Sequence, residues 1–145
     1  MPVALPPRLA RMSRGPQRLL TWGVPMGPLV LLRSRGRRSG QERVAPVALL
    51  RLDGEEWLVS PFGDTAWVHN VRADAHAGLG RGRRTRPVRL IEIDDARKPA
   101  ILLAYRRRFR VVPFVRTAFT AAPADGIDAF SREAGRHPVF LVERR

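Results

Sequence analysis

The sequence predicts a small α+β domain, a barrel of short and mostly antiparallel strands with two or three helices. Apolar runs of strand length occupy residues 29–32, 43–52 and 57–60, and the dipeptide Asp53-Gly54 separates the last two. Asp-Gly between apolar runs is a strong hairpin signal, because a type I′ turn needs a positive φ at both central residues. Strands joined so closely pair in a meander, which favours an antiparallel barrel over a parallel sheet.

The third strand is followed by a turn and a short helix. Residues 61–63 (Pro-Phe-Gly) break the strand, and Asp64 or Thr65 can cap the helix that follows. Trp67 and Val71 then lie on one helical face, because their spacing is i, i+4.

The second half of the chain predicts further strands and one long helix. A strand pair is expected after Gly78, with its second member at residues 88–93. Asp94 is expected to cap a helix over residues 95–110, and Pro113 to stop it, since proline cannot continue a helix. The tail beyond this helix gives no clear pattern before its last apolar run.

The chain divides into a leading segment and one barrel domain. Residues 1–28 are basic and interrupted by prolines, and we expect them to form a helical lid across the barrel rather than a helix on a membrane surface. Residues 29–145 are expected to form the barrel, with residues 139–142 as its closing strand. The 145 residues fit one domain of this kind.

Composition excludes several classes of site. The chain has no cysteine, which removes disulfides, thiolate zinc sites and cysteine nucleophiles. Its net charge of +14 favours anionic partners, although Lys98 is its single lysine, and a GC-rich genome also enriches arginine. The longest apolar run, residues 24–32, is far shorter than the ~20 residues that span a membrane. We therefore expect a cytoplasmic protein, with peripheral contact at the inner face of a membrane left open.

A glycine-flanked basic loop is the first candidate binding element. Residues 36–40 read Gly-Arg-Arg-Ser-Gly. Glycines let backbone amides turn inward around an anion, while the arginine forks of Arg37 and Arg38 and the hydroxyl of Ser39 can bind phosphate oxygens. Arg43, at the start of the next strand, can turn back to the same anion. The loop lacks the lysine of a Walker loop, so a nucleotide triphosphate site is not indicated.

The turn at residues 60–63 is the second candidate, because it leads from a strand into the helix that carries Trp67 and Asn70. Free N–H groups at such a helix start favour an anion. Both elements leave the same meander, so they can hold one extended ligand between them.

Together these segments resemble the deazaflavin-dependent nitroreductase and quinone reductase family, whose members are split β-barrels that use coenzyme F420. The resemblance covers residues 28–93 and is carried by Gly36-Arg-Arg-Ser-Gly-Gln-Glu-Arg43, Pro46, Ser60-Pro-Phe-Gly63 and Trp67-Val-His-Asn70-Val-Arg-Ala73. It implies a split β-barrel and transfer of hydride from reduced F420 to an organic acceptor such as a quinone or a nitroaromatic.

The resemblance also implies which residues bind the coenzyme. These are Arg37, Arg38 and Ser39 at the phosphate and tail, Arg43, Val44, Ala45, Pro46 and Val47 along the ring, Ser60, Pro61, Phe62 and Gly63 beside it, and Ala66, Trp67, Val68, His69 and Asn70 at the flanking helix. No catalytic residue and no metal are assigned, because a reduced deazaflavin carries the hydride itself. Arg35, Arg38, Arg72 and the basic run at residues 81–86 are expected to meet the carboxylates of the coenzyme tail.

Three alternatives stay open at this stage. A barrel without turnover, or one that binds FMN or a tetrapyrrole-like ligand, would share the scaffold, with FMN the less favoured coenzyme. A nucleic-acid-binding module is suggested by charge alone. Single-strand binders interleave aromatic residues with basic ones, whereas aromatics are 7% of this chain and residues 81–86 contain none. We therefore expect a small-molecule electron acceptor and no nucleic acid, in a monomer or homodimer.

Overall fold

Six antiparallel strands close a barrel in the computed structural model, which describes residues 29–145. The strands are β1 (Leu29–Arg35), β2 (Glu42–Leu52), β3 (Glu55–Val59), β4 (His76–Arg81), β5 (Arg84–Glu92) and β6 (Val139–Arg144). Their order around the barrel is β1-β2-β3-β6-β5-β4, and β1 pairs with β4 to close it. The α+β barrel is confirmed. The expected lid at residues 1–28 lies outside the described residues.

Four α-helices accompany the strands in the described part of the chain. They are α1 (Ala66–Ala73), α2 (Lys98–Arg108), α3 (Pro113–Ala118) and α4 (Ile127–Glu133). The helix α1 packs one face on the barrel, because its buried Val68 and Val71 belong to the same cluster as interior residues such as Leu32. The other three helices belong to a second core outside the barrel.

Alternation along the strands separates the two cores, as expected where successive side chains point to opposite faces. On β3, Leu58 belongs to the interior cluster, whereas Trp57 and Val59 belong to the outer cluster. The outer cluster also contains Leu102 of α2 and Phe130 of α4, neither of which is exposed to solvent. The helical layer therefore covers β3 and its neighbours and leaves the β1–β2 loop outside this core.

The predicted meander is confirmed, with small shifts at the strand ends. β1 pairs with β2 from Leu29 opposite Ala48 to Arg35 opposite Glu42. Asp53 and Gly54 have φ values of 52° and 78°, as the predicted type I′ turn requires. The predicted closing strand is also present, as β6 between β3 and β5.

Two predictions in the second half were wrong. β4 begins at His76 and contains Gly78, so this glycine does not precede the strand. A side chain at Gly80 would collide with the backbone carbonyl of Arg84, so the glycine permits close approach of β4 and β5. Pro113 does not stop the long helix: α2 ends at Arg108, and Pro113 occupies the first turn of α3, where its missing N–H has no cost.

Candidate functional site

A cleft of about 520 Å³ lies between the β1–β2 loop, the first residues of β2 and the helix α1. Its volume is within the range of small-molecule sites. Its lining consists of Ser34, Gly36, Arg37, Arg38, Ser39, Glu42, Arg43, Val44, Ala45, Ala66, Trp67 and Asn70. The two candidate elements of the sequence thus meet at one place.

The β1–β2 loop is tightly closed around Gly36. The N–H of Gly36 donates to the carbonyl of Gln41 at 2.7 Å, and the N–H of Gly40 donates to the carbonyl of Gly36 at 2.8 Å. A Cβ at Gly36 would lie 2.9 Å from Ser39 Oγ and 3.3 Å from Arg43 Nε, which leaves no room for a side chain. Arg43 therefore folds back over the loop, as its position in the sequence suggested.

Asn70 of α1 anchors the loop. Its Oδ1 accepts hydrogen bonds from Arg37 Nη1 at 3.0 Å and from the Arg37 backbone N–H at 3.2 Å. Asn70 is 3% exposed and lines the cleft. Since two donors occupy Oδ1, the amide nitrogen is the Asn70 atom left to donate to a ligand.

The opposite side of the cleft is less polar. Val44, Ala45 and Ala66 line it together with the indole of Trp67. The Trp67 ring also packs against Phe140 of the barrel interior, with ring centroids 5.5 Å apart. An aromatic ligand with an anionic end would meet apolar surface here and cations at the loop.

Nine of the predicted site residues line the cleft, and eight do not. Pro46 is half-buried on β2, Val47 and Val68 belong to the interior core, and His69 is half-buried on α1. Residues 60–63 form the turn before α1 and lie behind the cleft lining. The sequence does not distinguish the residues that line the cleft from those that do not, because both sets lie within the same short segments.

The turn at residues 60–63 is held by buried hydrogen bonds. Ser60 is not exposed, its Oγ donates to the carbonyl of Gly63, and its N–H donates to the carbonyl of Pro138 at 2.8 Å. His137 Nδ1 lies 2.8 Å from the carbonyl oxygen of Pro61. The turn therefore fixes where α1 starts, and with it the positions of cleft residues.

A buried carboxylate stands behind His137. Glu133 Oε1 lies 2.7 Å from His137 Nε2, and the N–H groups of Thr120 and Ala121 donate to the same carboxylate at 3.1 and 2.7 Å. Burial opposes ionisation of Glu133, but these hydrogen bonds outweigh it and hold its pKa below the usual range. His137 has a structural role, because it is buried between Glu133 and the carbonyl of Pro61.

Some of the cations expected at the coenzyme tail lie elsewhere. Arg72 forms ion pairs with Glu92 at 2.7 Å and with Asp64 at 3.1 Å, so its charge is already neutralised. The β4–β5 turn follows Arg81 and lies beyond the Leu29 end of β1, because Leu31 pairs with Gly80. None of residues 81–86 is among the residues that line the cleft, although the Gly82 carbonyl accepts a hydrogen bond from Arg33, the partner of the cleft residue Glu42.

Three cleft residues were missed from the sequence. Ser34 continues the inward alternation of Val30 and Leu32 on β1, and that alternation could have identified it. Glu42 pairs with Arg33 at 2.8 Å, which neutralises the carboxylate that faces the cleft. Gly36, the third, was noted only as part of the loop.

Comparison with protein families gives one match. The model of the family described as F420H(2)-dependent quinone reductase matches residues 10–112, which is more than half of the chain. The comparison with curated proteins finds no match.

Solved structures share the fold at low sequence identity. An F420-H2 dependent reductase (FDR-A) is 20% identical with a TM-score of 0.53, over 80% of this chain and 94% of its own. A structure described as a domain-swapped dimer is 20% identical with a TM-score of 0.56, over 96% and 100%. The heme storage protein HutZ from Vibrio cholerae is 8% identical with a TM-score of 0.56, over 81% and 82%. At these identities the likeness concerns the fold alone.

Proposed function

We propose that this chain, which belongs to the F420H(2)-dependent quinone reductase family, reduces a quinone or a nitroaromatic acceptor at the cleft beside Trp67. Family membership makes coenzyme F420 the cofactor and F420H2-dependent oxidoreduction the reaction, as the resemblance implied. The acceptor and the roles of individual residues are the proposal.

The residues of the cleft fit a coenzyme of this chemistry. F420 joins an aromatic ring to a phosphate and an acidic tail, and the cleft joins apolar surface at Trp67 to cations at Arg37, Arg38 and Arg43. The single observation that carries the proposal is this convergence of an arginine-rich loop and an indole face in one cleft. When bound, the reduced coenzyme supplies the hydride.

The protein side of the reaction is binding and orientation. Arg38, Ser39 and Arg43 bind the phosphate region, while Arg37 ties the loop to α1 through Asn70 and keeps its remaining N–H groups for the ligand. Val44, Ala45 and Ala66 exclude water from one wall. Residues 60–63 and their buried hydrogen bonds fix the direction of α1, so they act by positioning.

Coenzyme choice gives a first prediction. We expect the protein to bind F420 more tightly than FMN, and F420 binding to weaken more steeply with salt, because the acidic tail adds carboxylates near Arg35 and Arg38 in the screened field of a protein with a net charge of +14. Titration of the protein with each coenzyme at several salt concentrations measures this. Tighter FMN binding at every salt concentration would contradict the role given to the loop.

Turnover is tested in a separate assay with the same protein. With reduced F420, a quinone or a nitroaromatic should be reduced, whereas NADPH alone should support no reaction. Turnover driven by NADPH alone would contradict the proposed mechanism. If neither the quinone nor the nitroaromatic oxidises F420H2, the proposed acceptor class is wrong.

The loop arginines give a second prediction. Arg37→Ala and Arg43→Ala should each weaken F420 binding by about ten- to hundredfold, because a lost charge-assisted hydrogen bond costs on the order of 1.5–3 kcal/mol. Arg84→Ala, on the β4–β5 hairpin away from the cleft, is the control and should bind as the wild type does. Unchanged affinity in both loop variants would remove the phosphate from this loop.

A further inference from the structure

A basic stretch of chain without acidic residues lies on the helical layer, at the junction of α2 and α3. The sequence has no Asp or Glu between Asp95 and Asp125, whereas the same stretch carries seven Lys and Arg residues. Four of them, Arg106, Arg107, Arg108 and Arg110, precede Val111 in the segment of residues 106–111, which we call the basic turn.

Val111 is the most exposed large apolar side chain of the described residues, with 79% of its surface in water. The turn holds it there. Phe109 is not exposed and packs on Tyr105 with ring centroids 4.9 Å apart, and the Val112 N–H donates to the Phe109 carbonyl at 3.0 Å. Since Phe109 anchors the turn from inside, Val111 points outward as a fixed feature of the fold.

The charge of the basic turn differs from that of the barrel surface. Many barrel arginines have acidic partners: Arg33 pairs with Glu42, Arg72 with Glu92, and Arg86 with Glu56. Arg107, Arg108 and Arg110 are exposed, and no acid is near them in sequence. Residues 1–28 contain no Asp or Glu either, so that segment offers no carboxylate to neutralise the turn.

An exposed aliphatic side chain next to exposed arginines in the sequence fits a lipid surface better than a nucleic acid. Cations attract anionic headgroups, and an apolar tip gains free energy when it enters the boundary between headgroups and acyl chains. A nucleic acid would instead reward exposed aromatic rings, on which bases stack. The aromatic ring of this turn, Phe109, is buried.

We propose that the basic turn docks the protein on an anionic lipid bilayer, with Arg107, Arg108 and Arg110 on headgroup phosphates and Val111 inserted at the headgroup boundary. The contact is peripheral, and none of the described helices has the length and apolar character needed to cross a bilayer. This proposal does not depend on the acceptor or the coenzyme.

Vesicle sedimentation of the full-length protein tests the charges. The protein should bind phosphatidylcholine vesicles that contain phosphatidylserine, bind pure phosphatidylcholine weakly, and dissociate as salt rises. The variant Arg107→Gln, Arg108→Gln, Arg110→Gln should partition about a hundredfold more weakly, since each basic side chain near such a surface contributes about fivefold. The matched control removes the same charge elsewhere, with Arg83→Gln, Arg84→Gln, Arg132→Gln.

The absence of cysteine allows a direct test of insertion. Val111→Cys labelled with an environment-sensitive fluorophore should shift to the blue on anionic vesicles, whereas the exposed control Thr85→Cys should not. Circular dichroism checks that each variant is folded. Absence of vesicle binding at low salt, an equal loss in both triple variants, or no shift at position 111 would overturn the proposal. Tighter binding of a single-stranded oligonucleotide through the same arginines would assign the surface to nucleic acid instead.

Discussion

Replacing Glu133 by alanine should reduce the free energy of unfolding by about 3–5 kcal/mol, as expected when one partner of a buried charged network is removed. The carboxylate is 2% exposed and accepts hydrogen bonds from two backbone N–H groups, those of Thr120 and Ala121. It also lies 2.7 Å from His137 Nε2. Its loss leaves these donors without their partner at an almost fully buried position.

Urea denaturation measures this effect against a surface control. Glu143→Ala removes an exposed carboxylate that lies 4.0 Å from Arg89, and it should change stability by less than about 1 kcal/mol. A similarly small change for Glu133→Ala would mean that the buried network contributes little to the fold.

The Glu133 network also makes stability depend on acid pH. The pKa of Glu133 is lower in the folded protein than the 4.5 expected for the unfolded chain, so ionisation favours folding. The stabilisation is complete above about pH 4.5 and decreases as pH falls toward the folded pKa, because the unfolded chain then binds the proton first. The difference in the free energy of unfolding between the wild type and Glu133→Ala should therefore become smaller at acid pH. A difference that stays constant from neutral to acid pH would contradict this.

Local signals were sufficient for the meander and for the type I′ turn. Asp53-Gly54 fixes a backbone conformation within two residues, and the apolar runs on either side need no distant partner to be recognised. Gly78 and Pro113 misled the prediction for the same reason. Their roles are a close approach between two strands and the first turn of a new helix, and both depend on neighbours that residue type does not specify.

The two segments that form the site could be predicted from the sequence, but the contacts between them could not. Gly36, Arg37 and Arg43 could be placed on one loop, but only the folded barrel brings Asn70 to Arg37, 33 positions earlier in the chain. The link from Glu133 through His137 to the turn before α1 was missed. Its local signal was the i, i+4 spacing of the two residues, while the contact with Pro61 spans 76 positions.

The long-range contact between Asn70 and Arg37 can be tested directly by substituting Asn70. Its Oδ1 accepts from Arg37 twice, so its amide nitrogen is the atom left to donate to an anionic ligand in the cleft. Asn70→Asp keeps an oxygen for Arg37 and replaces that donor by a second acceptor with negative charge. The loop should stay anchored, and the folded protein should keep its stability.

We expect Asn70→Asp to weaken F420 binding by on the order of a thousandfold. The variant loses a hydrogen bond to a charged group, worth about 1.5–3 kcal/mol, and adds like-charge repulsion toward the phosphate. Asn70→Ala removes the donor without adding charge, although it also removes the Oδ1 that anchors Arg37, and its affinity should fall between those of the wild type and the aspartate variant. Fluorescence titration with F420 gives the affinities, and thermal unfolding without coenzyme shows whether the fold is intact. If Asn70→Asp binds F420 as tightly as the wild type does while Asn70→Ala binds it more weakly, the amide of Asn70 does not face the phosphate, and its role is confined to holding Arg37.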